Sequence, residues 1–262
     1  MLSTHDNLHR VFQHGFTAQD IAQPLISCDA VTPAELVKVV MEQKGHAIAG
    51  VRTEGVISGV VAIGDLATGP CGAFACHIDE AEIVADMMPL AALILRLAKH
   101  PRLFVVSLGQ IGGVVDRFDL LQPAARMWLF GMVTLIEMRF SRIIQLHCPG
   151  DSWRPYLSDG RIQKAAELLQ ERSRRNQQLT LADCLQFSDK TQIIARNSQL
   201  RKLTSFESRR QLVDVGKRLE KLRNNLAHSQ DIVTNDWETI VALAENLDDV
   251  LEGPPGLRSD QG

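Results

Sequence analysis

The stretch Gly55-Val56-Ile57-Ser58-Gly59-Val60-Val61-Ala62-Ile63-Gly64-Asp65-Leu66 returns 54 residues later as Gly109-Gln110-Ile111-Gly112-Gly113-Val114-Val115-Asp116-Arg117-Phe118-Asp119-Leu120, with seven of the twelve positions identical. Nothing else in the chain constrains its fold as strongly. Two copies of one unit adopt one local structure, and each needs a neighbour to cover its apolar face. Each copy reads as strand, tight turn, strand. Ala47 to Val51 leads into the turn before Gly55, and Leu103 to Val106 leads into Leu108-Gly109; the return strands are Ile57 to Val61 and Ile111 to Val115.

A helical stretch precedes each hairpin, Thr32 to Met41 and Pro89 to Ala98. Thr32 before Pro33, with Glu35 close behind, combines an N-cap with a helix-starting proline. Asp65 and Asp119 follow the return strands where a turn or helix begins. They suit two roles, capping free backbone N–H groups or contacting a ligand.

With the same Gly-Val-Val-x-x-x-Asp-Leu ending in both copies, the region from about Pro24 to Pro123 resembles the CBS domain pair, or Bateman module. The resemblance implies two β-α-β-β-α units packed sheet to sheet. It also implies clefts that hold adenosine nucleotides through a Thr or Ser and an Asp at the end of the second strand. Carried onto this chain, Asp65 and Asp119 take the Asp positions, but the hydroxyl positions hold Ala62 and Asp116. Ala62 cannot donate a hydrogen bond, and Asp116 sets a carboxylate near a polyanionic ligand, although a ribose hydroxyl can donate to it. Asp65, Asp116 and Asp119 are thus the candidate nucleotide-binding residues, with an adenine nucleotide as candidate regulatory ligand. A dimerisation module without a ligand is the alternative.

The chain has 262 residues, 45% of them hydrophobic and 23% charged, which is enough for two packed domains and excludes a disordered protein. We divide it into the duplicated module at 1–122, a helical domain at 123–252 and a disordered tail at 253–262. Cys28, Cys71, Cys76, Cys148 and Cys184 are an odd set without CxxC spacing. That argues against a disulfide scaffold and a thiolate zinc site, and for a reducing, cytoplasmic setting. The most apolar run, Met127 to Ile136, is too short to cross a bilayer, so no membrane partner is expected.

The second half reads as helices, giving an α+β, two-domain fold class: tandem β-α-β-β-α units followed by an all-α bundle. Ala124 to Leu146, between Pro123 and Pro149-Gly150, is apolar on nearly every side and suits a domain or subunit junction. Next come Asp159 to Arg175 and a helix opened by Thr180 with Asp183. Ile193 to Leu203 continues that helix or stands apart. Phe206 to Ala227 follows, and a last helix runs from Asn235 or Asp236 to Leu251.

Charge is unevenly spread. Trp153 to His228 holds 16 basic and 8 acidic residues, against 11 and 15 before it and 1 and 8 after it. Such a region attracts a polyanion, but it also serves as a solvated face or pairs with the acidic tail. Arg172, Arg174, Arg175, Lys202, Arg209 and Arg210 are candidates to track an RNA backbone. Few aromatics lie beside them to stack bases.

The sharpest local pattern is Arg223-Asn224-Asn225-Leu226-Ala227-His228. It resembles the Arg-polar-x-x-x-His signature of HEPN domains, helical modules that include metal-independent ribonucleases acting as dimers. The resemblance implies a homodimer in which Arg223, Asn224 and His228 are catalytic, no cofactor is required, and RNA is cut to a 2′,3′-cyclic phosphate and a 5′-hydroxyl. On a regular helix His228 stands about 140° from Arg223. One cleft can therefore hold both only if the helix loosens near Asn225 to His228 or a partner chain completes it. Arg223 and His228 also suit a purely structural role at a helix C-terminus. The remaining histidines show no HExxH or similar spacing, so no metal is expected. A non-catalytic regulator that senses nucleotide or binds RNA or protein is the alternative function.

Overall fold

The computed structural model describes residues 4–247. The chain divides into two compact units, Gln13–Ala125 and Met1–Phe12 together with Arg126–Gly262. Helix α1 (Thr4–His14) opens the chain.

In the α/β unit, β1 (Gln23–Pro24), β7 (Gln110–Asp116), β6 (Arg102–Ser107) and β5 (Ile83–Ala85) form one sheet in that order. β2 (Ser27–Asp29), β3 (Ile48–Thr53) and β4 (Val56–Ala62) form the other. The two repeats match strand for strand. β2 runs parallel to β3 with Ser27 opposite Gly50, and β5 runs parallel to β6 with Ile83 opposite Phe104. Both hairpins shift register at equivalent places, Val51/Arg52 and Val105/Val106. Both close on two left-handed residues, Glu54 and Gly55 (φ 53° and 84°) or Leu108 and Gly109 (φ 51° and 79°). This is the turn that suits a twisted hairpin, and it explains the glycine common to both copies.

The other identities have separable causes. Ile57 with Val60 and Ile111 with Val114 pack into one core around Phe104, Leu25 and Ile78, where the sheets face each other as the CBS resemblance implies. Val61 and Val115 are buried, as are Leu66 and Leu120. Gly59 and Gly113 let a further segment approach the outer edge. A Cβ on Gly59 would lie 2.7 Å from the Cys76 carbonyl oxygen, and Val60 exchanges backbone hydrogen bonds with Cys76. At the equivalent edge β1 pairs with β7, Gln23 opposite Val114.

Helix α2 (Ala34–Lys44) buries Ala34, Val37 and Met41; α3 (Leu90–Leu97) buries Leu90, Leu93 and Leu97 at the same spacing, with Ala91 and Ile94 besides. The expected Thr32 cap does not form. α2 starts at Ala34 without a side-chain cap, and the Ala34 N–H donates instead to the Gly69 carbonyl at 2.8 Å.

The helical unit contains α4 (Pro123–His147), α5 (Asp159–Arg174), α6 (Phe187–Arg196), α7 (Ser198–Arg201), α8 (Arg209–Ala227) and α9 (Val233–Glu245). Trp128 of α4 is fully buried and donates through Nε1 to the Phe12 carbonyl at 2.9 Å. α6 and α8 cross at Gly216, where a Cβ would collide with the Thr191 side chain.

Several helix limits differ from expectation, each for a capping reason. Asp183 accepts from the Thr180 N–H and hydroxyl, but only a 3₁₀ turn follows, Ala182–Cys184, with no side-chain cap of its own. The helix proper begins at Phe187 behind a capping box of Gln186 and Asp189. Asn197 then separates α6 from α7 by accepting the N–H groups of Gln199 and Leu200. α8 starts at Arg209, not Phe206, because Ser208 caps it. α9 starts at Val233 because Asp231 accepts the N–H groups of Val233 and Thr234. The expected end of the last helix at Leu251 and the tail at 253–262 lie outside the described residues. Among the described residues no helix is long and apolar enough to cross a membrane.

Candidate functional site

Helix α8 turns its apolar stripe, Leu212, Gly216, Leu219, Leu222 and Leu226, inward. That leaves Arg223 half-buried beside the stripe, and Asn224 and His228 exposed. The helix stays regular through Ala227, so of the two ways to bring Arg223 and His228 into one cleft, a loosening near Asn225 to His228 is not the one adopted. His228 is the C-cap, with its N–H donating to the Asn224 carbonyl, and Ser229 turns left-handed at φ 53°. Asn224 and His228, four residues apart, share one face; Arg223 stands about 140° from His228. Within one chain, then, Asn224 and His228 come together and Arg223 does not join them. None of the three side chains has a hydrogen-bond or ion-pair partner among the described residues.

The groups around them, by contrast, are held. Arg126 of α4 donates to the carbonyls of Asn225, Leu226 and Gln230 at 3.1–3.4 Å, neutralising the C-terminal end of α8. Asn225 donates to Asp236 Oδ2 at 2.6 Å, and Lys221 reaches Asp236 Oδ1 at 3.4 Å. The Asp236 side chain is 2% exposed, so these two contacts compensate a buried charge that would otherwise be costly. Sequence reasoning missed Arg126, Lys221 and Asp236. The available signal was Asp236 itself, an acid among the buried residues of an amphipathic helix, which requires a partner.

The basic candidates do not gather at this site. Arg172, Arg174 and Arg175 are exposed at the end of α5, with Arg175 paired to Glu171 at 2.7 Å. Lys202 is exposed after α7. Arg209 and Arg210 begin α8, about 20 Å along its axis from Arg223.

In the α/β unit the two repeat ends diverge. Asp119 Oδ2 accepts the Asp116 N–H at 2.8 Å, and its Oδ1 accepts from Gln122 at 3.0 Å and Gln23 at 3.2 Å. Asp116 in turn accepts the Phe118 N–H at 2.7 Å, completing a capping box. Burial holds the Asp119 carboxyl above its ordinary value, against the hydrogen bond from the Asp116 N–H and those from Gln23 and Gln122. Asp65 sits at the same place in the first repeat, exposed and capping nothing, so the capping role expected of it is not realised.

No family model matches the chain, and no curated protein matches it. Among solved structures, the chain is similar to the CBS domain of a CBS-domain-containing membrane protein from Sphaerobacter thermophilus. Identity is 15%, coverage is 44% of this chain and 91% of that one, and the TM-score is 0.38. The CBS-pair protein CBSX2 from Arabidopsis thaliana is 18% identical over 43% of this chain and 96% of its own, with a TM-score of 0.37. A structure of CBSX2 in complex with AMP is 21% identical over 43% of this chain and 98% of that one, with a TM-score of 0.36.

Proposed function

We propose that this chain is a homodimeric, metal-independent endoribonuclease of HEPN type, controlled by a CBS-type module that takes an adenine nucleotide. The observation that carries the ribonuclease assignment is the set of three side chains at the end of α8. Arg223, Asn224 and His228 keep their polar heads free while Arg126, Asn225, Lys221 and Asp236 immobilise the backbone beneath them. The His228 imidazole takes the 2′-hydroxyl proton or protonates the departing 5′-oxygen. Arg223 offers a planar fork to the phosphate oxygens as charge develops on them, and Asn224 orients the phosphate or the imidazole. Because Arg223 stands about 140° from His228, we take the missing half of each centre to come from a second copy.

The purified chain is expected to cut single-stranded RNA in the presence of EDTA, leaving 2′,3′-cyclic phosphate ends. His228→Ala is expected to slow cutting by about 10²–10⁴-fold while changing stability by no more than about 0.5 kcal/mol. A variant that loses stability and keeps its cutting rate would reduce His228 to a helix cap. A regulator without catalysis is the second reading, favoured by the free Asp65 carboxylate. Calorimetry that shows AMP binding, with no cleavage under any nucleotide, would establish it.

A further inference from the structure

The helical unit contains a cavity of about 290 Å³ between α4, α8, α9 and the segment joining α7 to α8. Its apolar walls come from three helices, Ile136 and Phe140 of α4, Leu219 of α8 and Leu243 of α9, all buried, and polar side chains complete the lining. Two features distinguish it from a packing defect. Thr239 lines it at 7% exposure, and its hydroxyl has no partner. Hydroxyls within helices ordinarily donate to the carbonyl four residues back, as Thr134 and Thr191 do here at 2.8 and 2.9 Å. For Thr239 that carbonyl belongs to Asn235, which accepts from Lys221 at 3.2 Å. No protein group among the described residues takes the Thr239 hydroxyl, which leaves it open to whatever fills the cavity it lines. The second feature is charge. Two guanidinium groups, Arg139 and Arg218, stand on the lining and no acidic side chain does; Arg218 is exposed and without a partner among the described residues.

We infer that this cavity is a binding site for a small amphiphilic carboxylate, its apolar body against Phe140, Leu219 and Leu243 and its head group between Arg218 and Thr239. A neutral ligand would leave the Arg218 guanidinium unused, and a fully polar one would leave the apolar walls dehydrated without compensation. The site is independent of the ribonuclease assignment, and neither depends on the other.

The test is calorimetry on the full chain with two anions, decanoate and 2-naphthoate, kept below micellar concentrations, and with decanol and 2-naphthol as neutral counterparts. At least one anion is expected to bind at one site per chain, about tenfold or more tightly than its neutral counterpart. Arg218→Gln is expected to erase that difference. Thr239→Val, which removes a hydroxyl that bonds to nothing, is expected to keep the fold and weaken the anion about tenfold. Val215→Phe, filling the cavity from a half-buried wall position, is expected to abolish binding of anion and neutral alike. The inference fails if neither anion binds. It fails equally if binding survives Val215→Phe in a variant whose circular dichroism is unchanged, since the heat then comes from elsewhere on the surface.

Discussion

The two repeats of the α/β unit have the same strands, register and turns, yet they are finished differently. The outer edge of β7 is covered by a strand, β1, and the equivalent edge of β4 by a loop residue, Cys76. The second repeat ties its terminal aspartate into a capping box, and the first leaves it open to solvent. Opposite Val51, β2 carries the thiol Cys28; opposite Val105, β5 carries Val84. Duplication preserved what the backbone needs, the turn glycine and the paired apolar positions of a shared core. Divergence went into the flanks. A ligand site need not be duplicated with the fold, and of the two terminal aspartates only that of the first repeat is left unbonded among the described residues.

The largest expected asymmetry concerns Cys28. Its thiol is pushed up to about 12, chiefly by burial and then by the Cys71 thiol 3.3 Å away; Arg52 opposes the shift and Asp29 adds to it. Only the thiolate reacts, so alkylation of Cys28 at neutral pH is expected to run about a thousandfold slower than for an unperturbed thiol. It is expected to rise about tenfold for each unit of pH. Mass spectrometry of iodoacetamide-treated protein resolves this site by site; rapid labelling of Cys28 at pH 7 would mean that the strand carrying it opens readily.

Next in size is the repeated glycine. A Cβ at Gly59 meets the Cys76 carbonyl oxygen at 2.7 Å, and backbone cannot step aside cheaply. At Gly113 the nearest atoms are the Cβ atoms of Ala22 and Val105, both at 3.3 Å. Gly59→Ala is expected to cost about 2–3 kcal/mol, and Gly113→Ala about 1 kcal/mol or less. Urea unfolding of the two variants measures the difference. Equal costs would mean that the loop covering β4 is as adaptable as the strand covering β7.

The repeat made these strands, turns and sheet-to-sheet contacts legible before any coordinates, because identity at Ile57/Ile111 or Val60/Val114 has one economical cause, a shared interior. The Arg223 to His228 pattern was equally visible, but its supports were not. Arg126 precedes the end of α8 by about a hundred residues, and no local rule connects its guanidinium to the Asn225 carbonyl. Capping was misjudged wherever two candidates competed. Thr180 and Asp183 satisfy each other across a single turn, while Gln186, an unremarkable residue in sequence, opens the helix. Side-chain competition for a few N–H groups is settled by tertiary position, and sequence does not encode that in one place.

The smallest expected effect separates the two terminal aspartates. Asp119→Ala removes the acceptor for the Asp116 N–H and for two glutamine amides, and is expected to cost about 1 kcal/mol, the usual value of a helix cap. Asp65→Ala removes an exposed carboxylate that bonds to nothing and is expected to change stability by less than about 0.5 kcal/mol. For nucleotide the order is expected to reverse. If the first repeat holds a ribose through Asp65, Asp65→Ala weakens AMP about tenfold or more, the loss of a charge-assisted hydrogen bond. Asp119→Ala, whose carboxylate is already occupied, leaves AMP affinity within about twofold. Chemical denaturation and calorimetry on the same two proteins give both orders. Were Asp119→Ala the variant that loses AMP, the capping box would have to open to admit the ligand, and the second repeat would be the sensor.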